Sequence, residues 1–283
     1  DLKALQDLPP WEWPDDTPAL LQRSLTDKRA SADDRLLAVQ LAGETEMSDA
    51  LADALLAVIS DAEATEALRA TAAIALSPVL EEADVDDFDD PDTVSISERT
   101  FIAIADTLRT VHQDADAPLE VRRRALEAAV RAPQAWQQAA IRAALGQQDE
   151  LWQLTAVFCM RFVQGFDAEI IAALASEHPQ IRCEAVLAAG AWQLQGAFDQ
   201  VAALIRSQTL DKALLLAAIE AAPSIRPEEA PELLEGLLDA EDPDIALAAE
   251  EALAMAEATG TEPGDDDLDF DDDDDEEEDE DLE

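Results

Sequence analysis

Apolar positions recur along this chain at helical spacing, and the helices they define recur in turn. When the segments opening at Arg35, Arg69, Arg122, Gln153, Arg182, Leu214 and Ala246 are set above one another, the spacings between them are 34, 53, 31, 29, 32 and 32 residues. Three places on, every segment carries alanine: Ala38, Ala72, Ala125, Ala156, Ala185, Ala217 and Ala249. Six of the seven openers follow an apolar residue (Leu68, Val121, Trp152, Ile181, Ala213, Ile245), and Asp34 is the exception. A period of about 32 residues predicts stacked helix pairs, each burying its apolar stripe only against adjacent pairs. A small residue fixed in every pair suits helices that approach closely.

Local signals place the helices within this period. Asp16 or Thr17 caps a helix running to about Thr26, with Pro18 in its first turn. The next begins near Ser31 and ends at Gly43, a glycine placed for a C-cap. Between Ser48 and Ile59, the residues Leu51, Leu55 and Val58 keep helical spacing. The pairs Ala117-Pro118, His178-Pro179, Arg226-Pro227 and Asp242-Pro243 put proline where a first-turn residue needs no N–H partner. Gly190 is expected to close the Ile181 helix as Gly43 closes its counterpart. Counting both members of each pair gives roughly fourteen helices.

Three stretches depart from the period and set the domain organisation. Residues 1–15 hold the rigid aromatic run Leu8 to Pro14, where Trp11 and Trp13 are expected to cover the open end of the array. Residues 16–258 form the array, interrupted at about 79–97 by an insertion of about 21 residues that accounts for the long spacing. Its centre, Asp84 to Asp92, reads as an acidic loop; Asp86, Asp87 and Phe88 are either a binding element or part of a solvated excursion. Residues 259–283 are a linker and a tail in which only Leu268, Phe270 and Leu282 among the last 19 residues are not acidic. Self-repulsion and so few apolar groups predict a disordered acidic tail.

Composition supports an all-α reading. Hydrophobic residues make up 48% of the chain but aromatics only 4%, and there are 8 glycines, so the apolar surface is mostly Ala, Leu, Ile and Val. No apolar run is long enough to predict a membrane span. Cys159 and Cys183 form no CxxC pair and are expected as small core residues in a reducing, cytoplasmic setting. Acidic residues outnumber basic ones 66 to 18, and the formal net charge is −48. Such a surface repels phosphate backbones, which argues against direct nucleic-acid binding and for a protein partner with a basic surface. The preference for arginine over lysine, 15 to 3, also fits adaptation to a salty milieu, in which case the acidity has no binding role.

The segments Asp242-Pro243-Asp244-Ile245 and His178 to Gly190 carry a polar-Pro turn, an apolar-Arg pair, alanine three residues on and a closing glycine. This pattern resembles HEAT-like repeats, and in particular is similar to the short bacterial type first named for phycobilisome lyases. Here the arginine is kept at Arg35, Arg69, Arg122 and Arg182, while Gln153, Leu214 and Ala246 replace it elsewhere. The resemblance implies a right-handed α-solenoid of about seven helix pairs. It implies little about function, because such arrays serve as scaffolds, adaptors, inhibitors and in some cases enzymes.

Few residues invite catalysis. His112 and His178 are the only histidines, and no Gly-x-Ser-x-Gly, Walker or dinucleotide fingerprint appears. No EF-hand spacing organises the carboxylates, so neither a metal nor any other cofactor is expected. Three binding candidates stand out instead. The tract Arg122-Arg123-Arg124, with Arg131 two turns beyond Arg124, either braces the stack and neutralises nearby carboxylates or receives an acidic ligand such as the chain's own tail. Trp136 and Trp192, toward helix ends in an aromatic-rich region, are candidate anchors for a partner. The acidic loop is the third.

The expected function is that of a monomeric, non-enzymatic scaffold or adaptor whose tail engages a basic partner or docks on the arginine patch. One alternative is an acidic chaperone or nucleic-acid mimic that shields a basic protein. The other is a lyase-like enzyme acting on a small molecule in a cavity near Trp136 and Trp192.

Overall fold

Polar side chains start the helices by satisfying first-turn N–H groups. Ser31 accepts from the Asp34 amide at 3.0 Å, Ser48 from Leu51 at 3.3 Å, Thr65 from Leu68 at 3.3 Å and Asp149 from Trp152 at 3.0 Å. The computed structural model describes residues 2–85, 88, 94–207 and 211–260. Asp86, Asp87 and the acidic tail lie outside the described residues.

The chain opens with α1 (Leu2–Gln6), then α2 (Thr17–Thr26) and α3 (Ala32–Ala42), α4 (Asp49–Ser60) and α5 (Glu66–Ala75). Next come α6 (Ser77–Val85), α7 (Glu98–Gln113) and α8 (Leu119–Ala129), α9 (Ala135–Leu145) and α10 (Glu150–Met160). The chain continues with α11 (Asp167–Ala173) and α12 (Pro179–Ala191), α13 (Phe198–Arg206) and α14 (Lys212–Ile225), α15 (Ala230–Leu234) and α16 (Pro243–Gly260). No strand occurs among the described residues. Apart from α1 and α6 the helices pair in order, and the second member of each pair carries the periodic alanine. These second helices, α3, α5, α8, α10, α12, α14 and α16, pack one on the next as a continuous layer. The first helices lie behind them, with α4 against both α2 and α7.

The period is a packing rule. Ala38, Ala72, Ala125, Ala156, Ala185 and Ala249 have no exposed surface, and Ala217 is nearly as buried. Arginine at the opening position closes the pair in two repeats, whereas Arg35 and Arg182 keep Nε buried without a hydrogen-bond partner. Arg69 Nε donates to the Ile59 carbonyl at 2.8 Å, and Arg122 Nε donates to the His112 carbonyl at 3.1 Å. Each reaches back ten residues to the end of its own first helix, where carbonyls lack helical partners.

Several boundary expectations need correction. α12 runs through Gly190 to Ala191 rather than closing at the glycine, whereas Gly43 does cap α3 as expected, with a φ of −75°. Neither glycine supplies the left-handed turn expected of a closing glycine. Close approach is the reason they are glycines: a Cβ on Gly190 would lie 3.0 Å from Ala221 Cβ, and one on Gly43 would lie 3.3 Å from Ala75 Cα. α15 starts at Ala230 because residues 227–229 form a turn after Pro227. The insertion opens as a helix, since α6 follows α5 after the single residue Leu76. At the N-terminus Leu2 and Leu5 are buried and Trp13 Nε1 donates to the Leu5 and Leu8 carbonyls, both at 3.0 Å. Trp11 does not join this cover and is 84% exposed.

Two apolar cores divide the layer. One extends from Leu2 to Ala132 and the other from Leu126 to Ala252. They meet at α8, which gives Ala125, Ala128 and Ala129 to the first and Leu126 to the second. Half-buried Trp136 packs against both.

Two glycines test the packing rule. Gly190→Ala is expected to lower stability by about 1–3 kcal/mol through overpacking on Ala221. Gly236→Ala, where an added Cβ meets nothing within 4 Å, is expected to be neutral or to stabilise by about 0.4–1 kcal/mol. Urea midpoints at constant slope measure both, and equal midpoints for the two variants would remove close approach as the reason for Gly190.

Candidate protein-binding groove

Consecutive arginines on a helix point about 100° apart, and the tract on α8 sends its three side chains to three destinations. Arg122 turns to the first-helix layer, bonding His112 and lying 5.7 Å from the centre of the Trp152 ring. Arg123 turns toward α10 and is only 3% exposed. Its Nε donates to Thr155 Oγ1 at 2.9 Å and to the Leu151 carbonyl at 3.1 Å, while its terminal nitrogens face Glu120 at 2.6 Å and Glu127 at 3.6 Å. Arg124 bridges the same carboxylates, Glu120 at 2.8 Å and Glu127 at 2.7 Å. Thr155 donates to Glu127 at 2.6 Å, so Glu127, itself 5% exposed, is enclosed by donors. α8 and α10 approach over a shorter stretch of backbone than any other successive pair of the layer. The buried network bridges this short approach. Such a network depends on every member, because a buried charge that loses its partner destabilises strongly.

Facing this network is a groove of about 690 Å³ that crosses α3, α5, α8, α10 and α12. Ile74, Pro78, Leu154 and Phe158 form apolar walls. Its charged lining consists of Arg123, Arg124 and Arg131 against Glu44, Glu127 and Glu184. Arg131 is also committed: it pairs with Glu81 and stacks 4.1 Å from the centre of the Phe162 ring. Two of these groups keep a buried atom without a hydrogen-bond partner: Arg131 at Nε, although its Nη1 pairs with Glu81, and Glu184, on α12, at Oε2. Burial holds its carboxyl above the usual range; Arg161 pulls the other way, and the negative Glu127 adds to the rise.

The other candidates are placed as follows. Trp136 packs between the two cores, 5.5 Å from His112. Trp192 is half-buried and donates to the Met160 carbonyl at 2.7 Å. Both are held by the array's own packing, and neither lines the groove. Phe88 packs 5.5 Å from Phe101; its neighbours Asp86 and Asp87 lie outside the described residues. His112 sits between Trp136 and Trp152, and burial, more than any neighbouring charge, lowers its pKa. Cys159 is a buried core thiol raised well above its ordinary pKa, chiefly by burial, whereas Cys183 is only partly buried.

Sequence reasoning singled out the arginines and missed the groove they face. The signal was present in the repeat. The residue five places after each opener, Gln40, Ile74, Glu127 and Phe158 in four of the segments, lines the groove. So do Thr71, Arg124 and Glu184, two places after theirs.

The family model for HEAT repeats matches residues 168–254, the segment from α11 through most of α16. The chain is a HEAT-like repeat protein. No curated protein matches this HEAT-like chain. Among solved structures it is similar to human deoxyhypusine hydroxylase in complex with glycerol, at 19% identity over 85% of this chain and 84% of that one, with a TM-score of 0.41. It is similar to YibA of Escherichia coli at 15% identity over 87% of this chain and 84% of that chain, with a TM-score of 0.46. An archaeal HEAT-like repeats protein from Thermococcus onnurineus shares 16% identity over 88% of this chain and 100% of that chain, with a TM-score of 0.39. No helix among the described residues of this HEAT-like array is long and apolar enough to cross a membrane.

The raised pKa of Glu184 makes stability depend on pH. At low pH both folded and unfolded chains hold the proton and Glu184 contributes no penalty. As pH rises past the ordinary glutamate range the unfolded chain ionises first, so stability falls until the folded carboxyl also ionises. Glu184→Gln is therefore expected to melt at a higher temperature than wild type at neutral pH, with the difference vanishing near pH 4. Thermal melts followed by circular dichroism across that range check it, and a difference that grows on acidification would contradict the assignment.

Proposed function

We propose that this HEAT-like protein is a non-enzymatic scaffold or adaptor that binds a basic protein partner along the groove of its second-helix layer. The observation that carries this reading is the groove itself: about 690 Å³, assembled from five successive repeats, with apolar walls and a charged floor. A surface of that kind offers apolar contact for affinity and fixed charges for register. The formal charge of −48 attracts basic proteins over long range and raises their association rate at low salt. In this reading the acidic tail adds attraction and the groove supplies specificity. Docking of the tail onto the arginine tract is disfavoured, because Arg123 and Arg124 are already matched by Glu120 and Glu127. The free thiols suit a reducing, cytoplasmic setting.

The test compares the full chain with one lacking residues 264–283. The probe is a labelled peptide of alternating arginine and leucine, titrated at low salt and at a salt concentration where the Debye length falls to about 3 Å. Deletion is expected to weaken binding severalfold at low salt and to leave high-salt binding unchanged. Complete loss of binding on deletion would favour the acidic-mimic alternative. No binding by either form would reject a basic partner altogether.

A further inference from the structure

We infer that Glu184 is the docking point for a cationic side chain carried by a basic, partly apolar segment of a partner protein lying in the groove. The inference rests on the proposed function above and names the residue that reads the partner.

The charges of the groove are matched unequally. Arg123 and Arg124 are held by Glu120 and Glu127, and Arg131 by Glu81. Glu127 in turn receives both arginines and Thr155. Within this lining Glu184 has a buried oxygen and no donor directed at it. Arg161 is close enough to favour its ionisation, yet the two form no ion pair among the described residues. One oxygen of this half-buried carboxylate has lost water without gaining a donor, which is unfavourable until a donor arrives. The groove therefore selects for a cation. That reverses the expectation from the arginine tract, which had suggested an acidic ligand.

The walls indicate what carries the cation. Leu154 and Phe158 line the same groove as Glu184 and offer apolar surface for the methylene stem of lysine or arginine. The half-buried Phe158 ring adds attraction for the charge. The groove reaches across α8 to the accessible Ile74 and Pro78, much farther than one side chain extends. A small amine would leave those walls uncovered, whereas a peptide segment with apolar residues beside its cation fills them. The strongly acidic body supplies the complementary field that draws such a segment in.

The test uses the full chain and the labelled arginine–leucine peptide, with affinity read by fluorescence anisotropy at moderate salt. Glu184→Gln, which keeps the shape and removes the charge, is expected to weaken binding about tenfold. Asp106→Asn, an exposed neutralisation on α7 in the first-helix layer, is expected to change it less than about twofold. A Glu184→Asp variant is expected to recover part of the affinity. Spermidine at equal charge is expected to compete weakly against the peptide. Equal affinity of wild type and Glu184→Gln would overturn the site while leaving a basic partner intact. Spermidine displacing the peptide at matched charge would overturn the peptide as occupant. If wild type fails to bind the peptide, both the site and the proposed function fall.

Discussion

The contact on which the rest of the array depends is the buried polar network between α8 and α10. Elsewhere the second helices stack chiefly through alanine and glycine, with polar contacts such as Glu150–His178 and Lys212–Asp244 near the helix starts. At α8 the two apolar cores meet, and α8 approaches α10 over a shorter stretch than other successive second helices do. Arg123, Glu127 and Thr155 span that join, with Arg123 reaching Leu151 and Thr155 across the interface. In a linear array each repeat is stabilised only by its neighbours, so one weak interface limits cooperativity along the whole chain. A network that is satisfied at every member rigidifies such an interface, and one that loses a member leaves a buried charge exposed to no solvent and no partner.

The same network decides the chemistry of the groove. By consuming Arg123 and Arg124 it removes the positive patch that the arginine tract suggests. Burial is the main obstacle to ionising Glu184, and Glu127, placed nearby by the network, adds to it. The groove thus inherits its charge preference from a structural device. Architecture and recognition share residues here, and Glu127 takes part in both.

The array was legible in the sequence to a large degree, because a repeat protein writes its packing rule many times. The periodic alanine marked all seven second helices, and the opening arginine marked the contact that Arg69 and Arg122 make ten residues back. Proline and serine signals located the starts of α2, α3, α4 and α12 closely. What was not legible depended on how neighbouring repeats meet. Gly43 ends α3 as its sequence position suggests and Gly190 does not end α12, but the close approach of each to Ala75 and Ala221 could not be read locally. α6 was hidden because the acidic residues after it dominate the insertion. Arg122, Arg123 and Arg124 look like one patch in sequence, and their 100° divergence was readable, but the carboxylates that receive them were not. Glu184 was invisible for the same reason: its distinction is the absence of a donor, a property of three dimensions.

Hydrogen exchange of Arg123→Ala, read helix by helix by mass spectrometry, tests the central role of the α8–α10 network most directly. Leaving Glu127 short of a partner is expected to destabilise the join by about 3–5 kcal/mol. Amides of α10 should lose protection together with those of α8, while α3–α5 and α12–α16 keep most of theirs. If α10 exchanges as slowly as in the wild-type chain, the network is a local feature of α8 and does not hold the two halves together.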